Sequence, residues 1–412
     1  MSAQEYLSAD DAAAYLGVSK QTLYAYVSRG LVASEPGGDS RTRARRYSRT
    51  QLDRLRGARD DRRGPGRGAL RGGTPVLETG ITERDPVAGT LTYRGHDAIE
   101  LSRHASFEEV AALLWTGSLG EAEALFAGAG ASAAAGPGEP AAPAPRRRPV
   151  AASRFAEAPG IADRLYACLV RERARQPLTL APADAATLRG AASTVAALFD
   201  AAGAAPAGTH AGAPLATRLA AGWGATSPAA AEDVRAALVL AADHGLATST
   251  FAGRCVASAD APVANVLLAA LCALEGRRHG GHTPMAESLL AEVEREGVAA
   301  LRRALRRDGL LPGFWGGGYY DGDPRGRELL DRLGLGRRDP VTRAVEFAAG
   351  HGLHPTIDLG LAATARAHRL PDGAAFALFA LGRSAGWVAH ALEQAATGTM
   401  IRPRAVVTGP AQ

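Results

Sequence analysis

AFALFALGRSAGWVAHALEQAA, residues Ala375–Ala396, is the stretch on which the fold turns. Its apolar residues recur with the period of a helix, not with the alternation of a strand, and Phe107–Trp115 repeats the pattern. Alanine and leucine dominate elsewhere, and valine-rich alternating runs are scarce. The large part of the chain is therefore expected to be almost entirely α-helical. One β element is expected over Val76–Thr92, a short hairpin of Ile81-Thr82, an Asp85-Pro86 turn and Leu91-Thr92-Tyr93.

With 412 residues, 46% hydrophobic and 22% charged, the chain has the composition of a globular protein of two or three domains, and disorder is excluded as its main state. Cys168, Cys255 and Cys272 lie in apolar stretches without metal-binding spacing, so burial is expected for all three and no metal site. That cysteine usage fits a reducing cytoplasm. No basic-then-apolar leader opens the chain and no long uninterrupted apolar run occurs, so no membrane is expected as a partner.

The net charge of +5 is placed unevenly. Met1–Gly72 hold 14 Lys and Arg against 8 Asp and Glu, leaving the remainder near −1. A polyanion partner is expected for the front end alone. Residues 57–73 are Arg/Gly-rich and read as a linker, and 128–152 is an Ala/Pro/Gly tract read as a surface loop within the larger part.

Ahead of that linker, residues 1–56 read as one small module. Ser8 and Asp11 have the spacing of a capping box before a short helix, Gly17-Val18 turns the chain, and Ser19 caps a second helix through Val27. In such a pair the second helix enters the major groove of DNA, which would offer Lys20, Gln21 and Tyr24 to bases and phosphates while Leu23 and Val27 face the core. A basic strand with Arg41, Arg43, Arg45 and Arg46 follows as a wing along the phosphate backbone. Gln51–Leu55 would close the module with a third helix. The run LSADDAAAYLGVSKQTLYAYVSRGLV with its downstream RRYS resembles the winged helix-turn-helix of mercury-resistance-regulator and excisionase-type DNA-binding domains.

In the larger part, polar residues gather in ADHGLATSTFAGR (Ala242–Arg254), EGRRHGGHTPMAE (Glu275–Glu287), DGDPR (Asp321–Arg325), TIDLGLAA (Thr356–Ala363), around Gly382-Arg383, and in MIRPRAVVTG (Met400–Gly409). With LETGITERDPVAGTLTYRGHD at Leu77–Asp97, these runs in this order resemble the citrate synthase family, including its methylcitrate-forming members. The resemblance covers Leu77–Gly409. It implies a citrate synthase-like helical fold of two domains: a large one from residues 74–279 and 367–412, and a small one from about 280 to 366 that closes over the substrates.

By the same resemblance, His279 is the donor to the thioester oxygen of an acyl-CoA and Asp358 the base that removes its α-proton. A thioester α-proton is a weak acid, so a carboxylate needs a nearby donor to stabilise the developing enolate oxygen, and a closed, dry cleft strengthens both effects. Arg325, Arg383 and Arg402, with His244, match the groups that bind a dicarboxylate such as oxaloacetate; guanidinium forks suit carboxylates. The arginine matched by Arg402 reaches into the neighbouring subunit's site in the family, which implies a homodimer. Acyl-CoA enters as a co-substrate, and no cofactor is implied.

Three departures from the family pattern bear on activity. The histidine expected nine residues before Arg325 is replaced: GFWGGGYYDGDPR puts Gly316 there, leaving His351, His354, Tyr319 or Tyr320 as conceivable substitutes. The usual HGGAN reads HGGHT, and Thr356 stands where asparagine is common before Ile-Asp. Three readings remain open on sequence alone: a condensing acyltransferase, a DNA-binding regulator that senses a carboxylate or CoA ester with the same site, and an assembly subunit lending Arg402 to a paralogue.

Overall fold

The computed structural model describes residues 6–16, 18–28, 32, 34–36, 45–49, 51–52, 77–129, 159–175, 180–181, 184–203, 212–315, 319 and 321–403. Arg41, Arg43, the linker at 57–73, nearly all of the tract at 128–152, Gly316, Tyr320 and Arg404 lie outside the described residues. The chain divides into two units: Met1–Glu78 with Arg306–Leu310, and Thr79–Leu305 with Leu311–Gln412.

In the first unit, β1 (Tyr6–Ser8) leads into α1 (Ala9–Leu16) and α2 (Lys20–Ser28), followed by β2 (Ser34–Pro36) and β3 (Arg45–Ser48). The sheet is antiparallel with β3 in the middle, pairing Leu7 with Tyr47 on one side and Ser34 with Tyr47 on the other. Both helices start as the capping residues dictate. The Asp11 amide donates to Ser8 Oγ at 3.2 Å, and the Thr22 amide to Ser19 Oγ at 3.2 Å. Leu7, Ala12, Ala13, Leu16, Leu23, Val32, Tyr47 and Leu52 form the core, with Val27 packed against it. The β2–β3 pair is the wing, and its described arginines, Arg45 and Arg46, are exposed.

The second unit is helical apart from small sheets. β4 (Thr82–Asp85), β5 (Thr90–Tyr93) and β6 (His96–Asp97) form an antiparallel sheet, so the expected hairpin gains a third strand. Asp85 closes its turn by accepting from the Val87 and Ala88 amides at 2.8 and 3.0 Å. Then follow α3 (Ala98–His104), α4 (Phe107–Thr116), α5 (Ala122–Phe126), α6 (Ile161–Arg173), α7 (Ala185–Gly203), α8 (Leu215–Gly222), α9 (Pro228–Ala241), α10 (Thr248–Ala257) and α11 (Val263–Leu274). α12 (His282–Glu296), α13 (Val298–Asp308), α14 (Pro324–Leu333), α15 (Pro340–Ala349), α16 (Ile357–Ala367) and α17 (Ala374–Ala396) complete it. A two-residue ladder, β7 (Phe314–Trp315) with β8 (His354–Pro355), was not foreshadowed in the sequence.

α17 is the stretch quoted at the outset. It is long and apolar enough to cross a membrane by length and composition, yet its apolar window is wholly buried inside the fold, as befits a core helix. It crosses the end of α9 closely because Gly382 and Gly386 carry no side chain: a Cβ on Gly386 would stand 2.4 Å from Ala242 O, and one on Gly382 2.6 Å from Leu238 O. Most buried residues join one core around α17, while a second, from Ala286 to Ala363, is built by α12, α13, α15 and α16. Cysteine burial holds in part. Cys168 is buried and Cys255 half-buried, but Cys272 is exposed, because it falls on the outward face of the amphipathic α11, opposite Leu271 and Leu274.

Candidate active site

The site begins where α9 ends. Tyr93, fully buried on β5, donates its hydroxyl towards Val239 O and Leu240 O at 3.1 and 3.2 Å, and the Asp243 amide lies 3.4 Å from the same oxygen. These bonds fix the turn that carries Asp243 and His244. Asp243 is buried and accepts from the Gly245 amide at 2.8 Å and faces His390 Nε2 at 3.4 Å. Burial alone would raise its carboxyl, but His390 and Arg383 hold it at about 2. His390 in turn neighbours Arg254, a guanidinium only 1% exposed that donates to Glu393 at 2.6 Å and Gln394 at 3.0 Å. Asp243, His390, Arg254, Glu393 and Gln394 therefore form one linked buried network beneath the site, in which Asp243 Oδ1 is left without a hydrogen-bond partner among the described residues.

His244 itself is half-buried, with Nε2 3.0 Å from the Tyr319 hydroxyl. Burial first, then the positive charges of Arg325 and Arg383, push its imidazole well below the usual histidine range, so it is neutral at pH 7.

Arg383 is buried on α17, its Nε donating to Ala241 O at 2.7 Å and its guanidinium 5.0 Å from the centre of the Phe379 ring. Burial brings its pKa down to about 10, still charged at neutral pH. Arg325, on the first turn of α14, forms a fork with Asp323 at 3.0 and 2.8 Å. Asp323 also caps that helix through the Arg325 amide and accepts from the Ile357 amide at 3.2 Å, tying α14 to the start of α16. The guanidinium nitrogen outside the fork, Arg325 Nη1, is buried with no hydrogen-bond partner among the described residues. A buried donor left unpaired is costly unless a ligand completes it.

His279 precedes α12, half-buried and edge-on to Phe379. Its Nε2 lies 2.8 Å from Ser249 Oγ, which accepts from Trp387 Nε1 at 3.2 Å. Ser249 has one proton and a second lone pair beside the one tryptophan uses; when its proton goes to Nε2, the imidazole carries its own proton on Nδ1. Burial, then Arg383 and His282, lower this imidazole to about 4. It is thus a neutral donor throughout the physiological range.

Asp358 sits in the first turn of α16, where the helix dipole favours a carboxylate. Thr283 donates to Oδ1 at 2.7 Å, and Thr356 Oγ1 lies 3.2 Å from Oδ2. Burial outweighs these hydroxyls, and the carboxyl is raised above its ordinary value. A carboxylate raised by desolvation is a stronger proton acceptor.

The sequence-predicted groups His244, Arg325 and Arg383 act on one another electrostatically within this site, and Arg383 acts on both His279 and Asp358. Arg402 is apart from them: it is exposed in the tail after α17. In the first unit, Gln21 and Tyr24 are exposed, whereas Lys20 is engaged with Asp10 at 2.5 Å. An exposed pair of that kind is weak and yields readily to a phosphate. Four partners escaped the sequence reading: Ser249 and Trp387 behind His279, Thr283 on Asp358, and Asp323 on Arg325. All four fall within runs quoted above, Ser249 in ADHGLATSTFAGR, Trp387 in the long apolar stretch, Thr283 in HGGHT and Asp323 in DGDPR, but nothing in those runs marked them as partners of the site residues.

Comparison with known proteins follows the same division. Residues 69–404 match the family model described as citrate synthase, C-terminal domain, and residues 6–59 match a helix-turn-helix domain. The 2-methylcitrate synthase of Mycobacterium tuberculosis is 30% identical over 370 residues, which are 82% of this chain and 90% of that protein. The citrate synthase of Haloferax volcanii is 33% identical over 191 residues, 43% of this chain and 50% of that protein. For the first relatives matched, the chain spans only about half of their length. Among solved structures, citrate synthase from Thermoplasma acidophilum in ternary complex with carboxymethyl coenzyme A and oxaloacetate superposes with a TM-score of 0.66 at 21% identity, covering 84% of this chain and 97% of that one.

Proposed function

The chain belongs to the citrate synthase family, and we propose that it condenses a short acyl-CoA, acetyl- or propionyl-CoA, with oxaloacetate or a related 2-keto acid, releasing CoA. The observation that carries this reading is the pairing in one site of a desolvated carboxylate, Asp358, with a neutral imidazole, His279, held at Nε2 by Ser249. Asp358 takes the α-proton while His279 Nδ1 stabilises the enolate oxygen as charge develops on it. Arg383 and the unpartnered Nη1 of Arg325 supply donors for the carboxylates of the acceptor. The reading further includes a homodimer in the cytoplasm, in which the exposed Arg402 serves the site of a second copy.

Free thiol should appear when the protein meets acetyl- or propionyl-CoA and oxaloacetate together, and not with either alone. Absence of thiol with every common pair of acyl-CoA and 2-keto acid would overturn the reading.

A second reading, regulation of DNA binding by occupancy of this site, is favoured by one further observation: the wing exposes Arg45 and Arg46, and the second helix exposes Gln21 and Tyr24. Contacts from such a wing go to phosphates and respond to salt. Arg45→Ala is expected to weaken DNA binding by the full chain across sequences and to reduce the slope of log affinity against log salt by about 1. An unchanged slope removes the wing from the interface.

A further inference from the structure

Condensation needs a donor on the acceptor's keto oxygen as well as on the thioester, and the position counted for it, Gly316, has no side chain to give. Neither histidine that sequence offers as a substitute hydrogen-bonds to His244, Arg325 or Arg383 among the described residues. His351 is exposed, with Nδ1 2.8 Å from Phe347 O and its ring against the Phe347 ring at 4.4 Å. His354 lies on the short β8 strand, against Gly322.

Tyr319 differs. Three residues beyond Gly316, it is only 4% exposed, its hydroxyl is 3.0 Å from His244 Nε2, and Arg84 lies over its ring at 5.8 Å. It therefore stands among the groups proposed to hold the acceptor, with His244 at its hydroxyl and Arg325 near enough to act on its charge.

We propose that the Tyr319 hydroxyl is the hydrogen-bond donor that polarises the acceptor's keto group, with His244 Nε2 donating to the phenol oxygen behind it. This rests on the condensing reading above.

Burial raises the Tyr319 phenol to about 12, so it keeps its proton at physiological pH. His244, held neutral by its surroundings, has one ring proton. With that proton on Nε2, imidazole donates to phenol and phenol to ketone, two donors in series that strengthen one another.

The step balances without a further reactant. Asp358 accepts the α-proton of the acyl-CoA, the α-carbon forms a bond to the keto carbon, and the C=O π pair moves onto oxygen. That oxygen takes the phenol proton. One proton then passes from the Asp358 acid to the Tyr319 phenolate through solvent, restoring both groups, and water cleaves the thioester to release CoA.

The test separates the two half-reactions in the full-length protein. Exchange of the acyl-CoA α-protons with D2O, followed by proton NMR in the presence of malate as a non-keto occupant, reports enolisation alone. Thiol release with oxaloacetate reports the whole reaction. Tyr319→Phe is expected to lower kcat for thiol release by about 10²- to 10³-fold, the cost of one preorganised oxyanion donor. Exchange should stay within about twofold of wild type.

Unchanged thiol release in Tyr319→Phe overturns the proposal, and so does a parallel loss of exchange and release, which marks a structural role. If wild type itself neither exchanges nor condenses, the condensing reading falls and the Tyr319 proposal with it. Wild-type exchange with Tyr319-independent condensation leaves the reading standing and removes only this residue.

Discussion

Asp358→Asn is expected to lose condensation by about 10²- to 10⁴-fold, the range of a positioned general base, while melting at a higher temperature than wild type at pH 7. The activity follows from removing the carboxylate that meets Thr283 and Thr356 at the head of α16. The stability follows from the direction of its pKa. Burial raises the Asp358 carboxyl in the folded chain above its unfolded value, so the folded state binds the proton more tightly than the unfolded one. Stability on this account is fullest below the unfolded pKa, declines as pH rises through the window up to the folded pKa, and is lost above it. Wherever the group is ionised in the fold it is a net cost, which a neutral isostere removes.

Hydrogen bonding adds to the effect. Thr356 has one proton for two acceptors, Gly313 O at 3.1 Å and Asp358 Oδ2 at 3.2 Å. An asparagine amide in place of Oδ2 would donate to Thr356 Oγ1, freeing that hydroxyl for Gly313 O, while Oδ1 keeps the bond from Thr283. A thermal melt at pH 7 beside one at pH 4 checks the sign: the gain of the variant over wild type should shrink at the lower pH. A variant that melts lower than wild type at pH 7 contradicts the desolvation of Asp358. Function and stability would then pull in opposite directions at this residue, as they do where a site holds a group against its own solvation.

Much of this architecture was legible because it is local. The helical period of Ala375–Ala396 reports which face is buried within a few turns, and Ser8 and Ser19 announce their helices within three residues of where they cap them. The candidate site was legible only in part. His279, Asp358, Arg325 and Arg383 stand in runs whose wording resembles a family, but what makes them chemically useful lies far off in the chain. Thr283 reaches Asp358 across 75 positions, His244 meets Tyr319 across the same interval, and Trp387 supports Ser249 across 138. A hydroxyl in an alanine-rich helix has no pattern that announces such a partner; its role exists only once α10, α12, α16 and α17 are packed. Cys272 failed for the converse reason: an apolar run suggests burial for every member, whereas a helix at a surface buries one face.

Arg325→Leu separates folding from binding at the same pocket. Arg325 is 4% exposed and forked onto Asp323, a carboxylate whose side chain is 9% exposed. Removing one partner of a buried pair leaves an uncompensated charge and is expected to destabilise the protein by about 3–5 kcal/mol. Lost stability alone would make a loss of activity uninformative, so the double variant Asp323→Asn/Arg325→Leu is the decisive comparison. Asparagine caps a helix as well as aspartate, so α14 keeps its start, and with no buried charge to strand, most of the stability should return. What should not return is the response to ligand. Oxaloacetate at about 100 times its Kd would stabilise the wild type by about 2.7 kcal/mol, read as a rise in Tm, because the otherwise unpaired Nη1 finds a carboxylate oxygen. The double variant should melt near wild type without ligand and show little or no rise with it. If it retains the full ligand-induced rise, the fork of Arg325 serves only to join α14 to the head of α16, and the acceptor's carboxylates are held elsewhere.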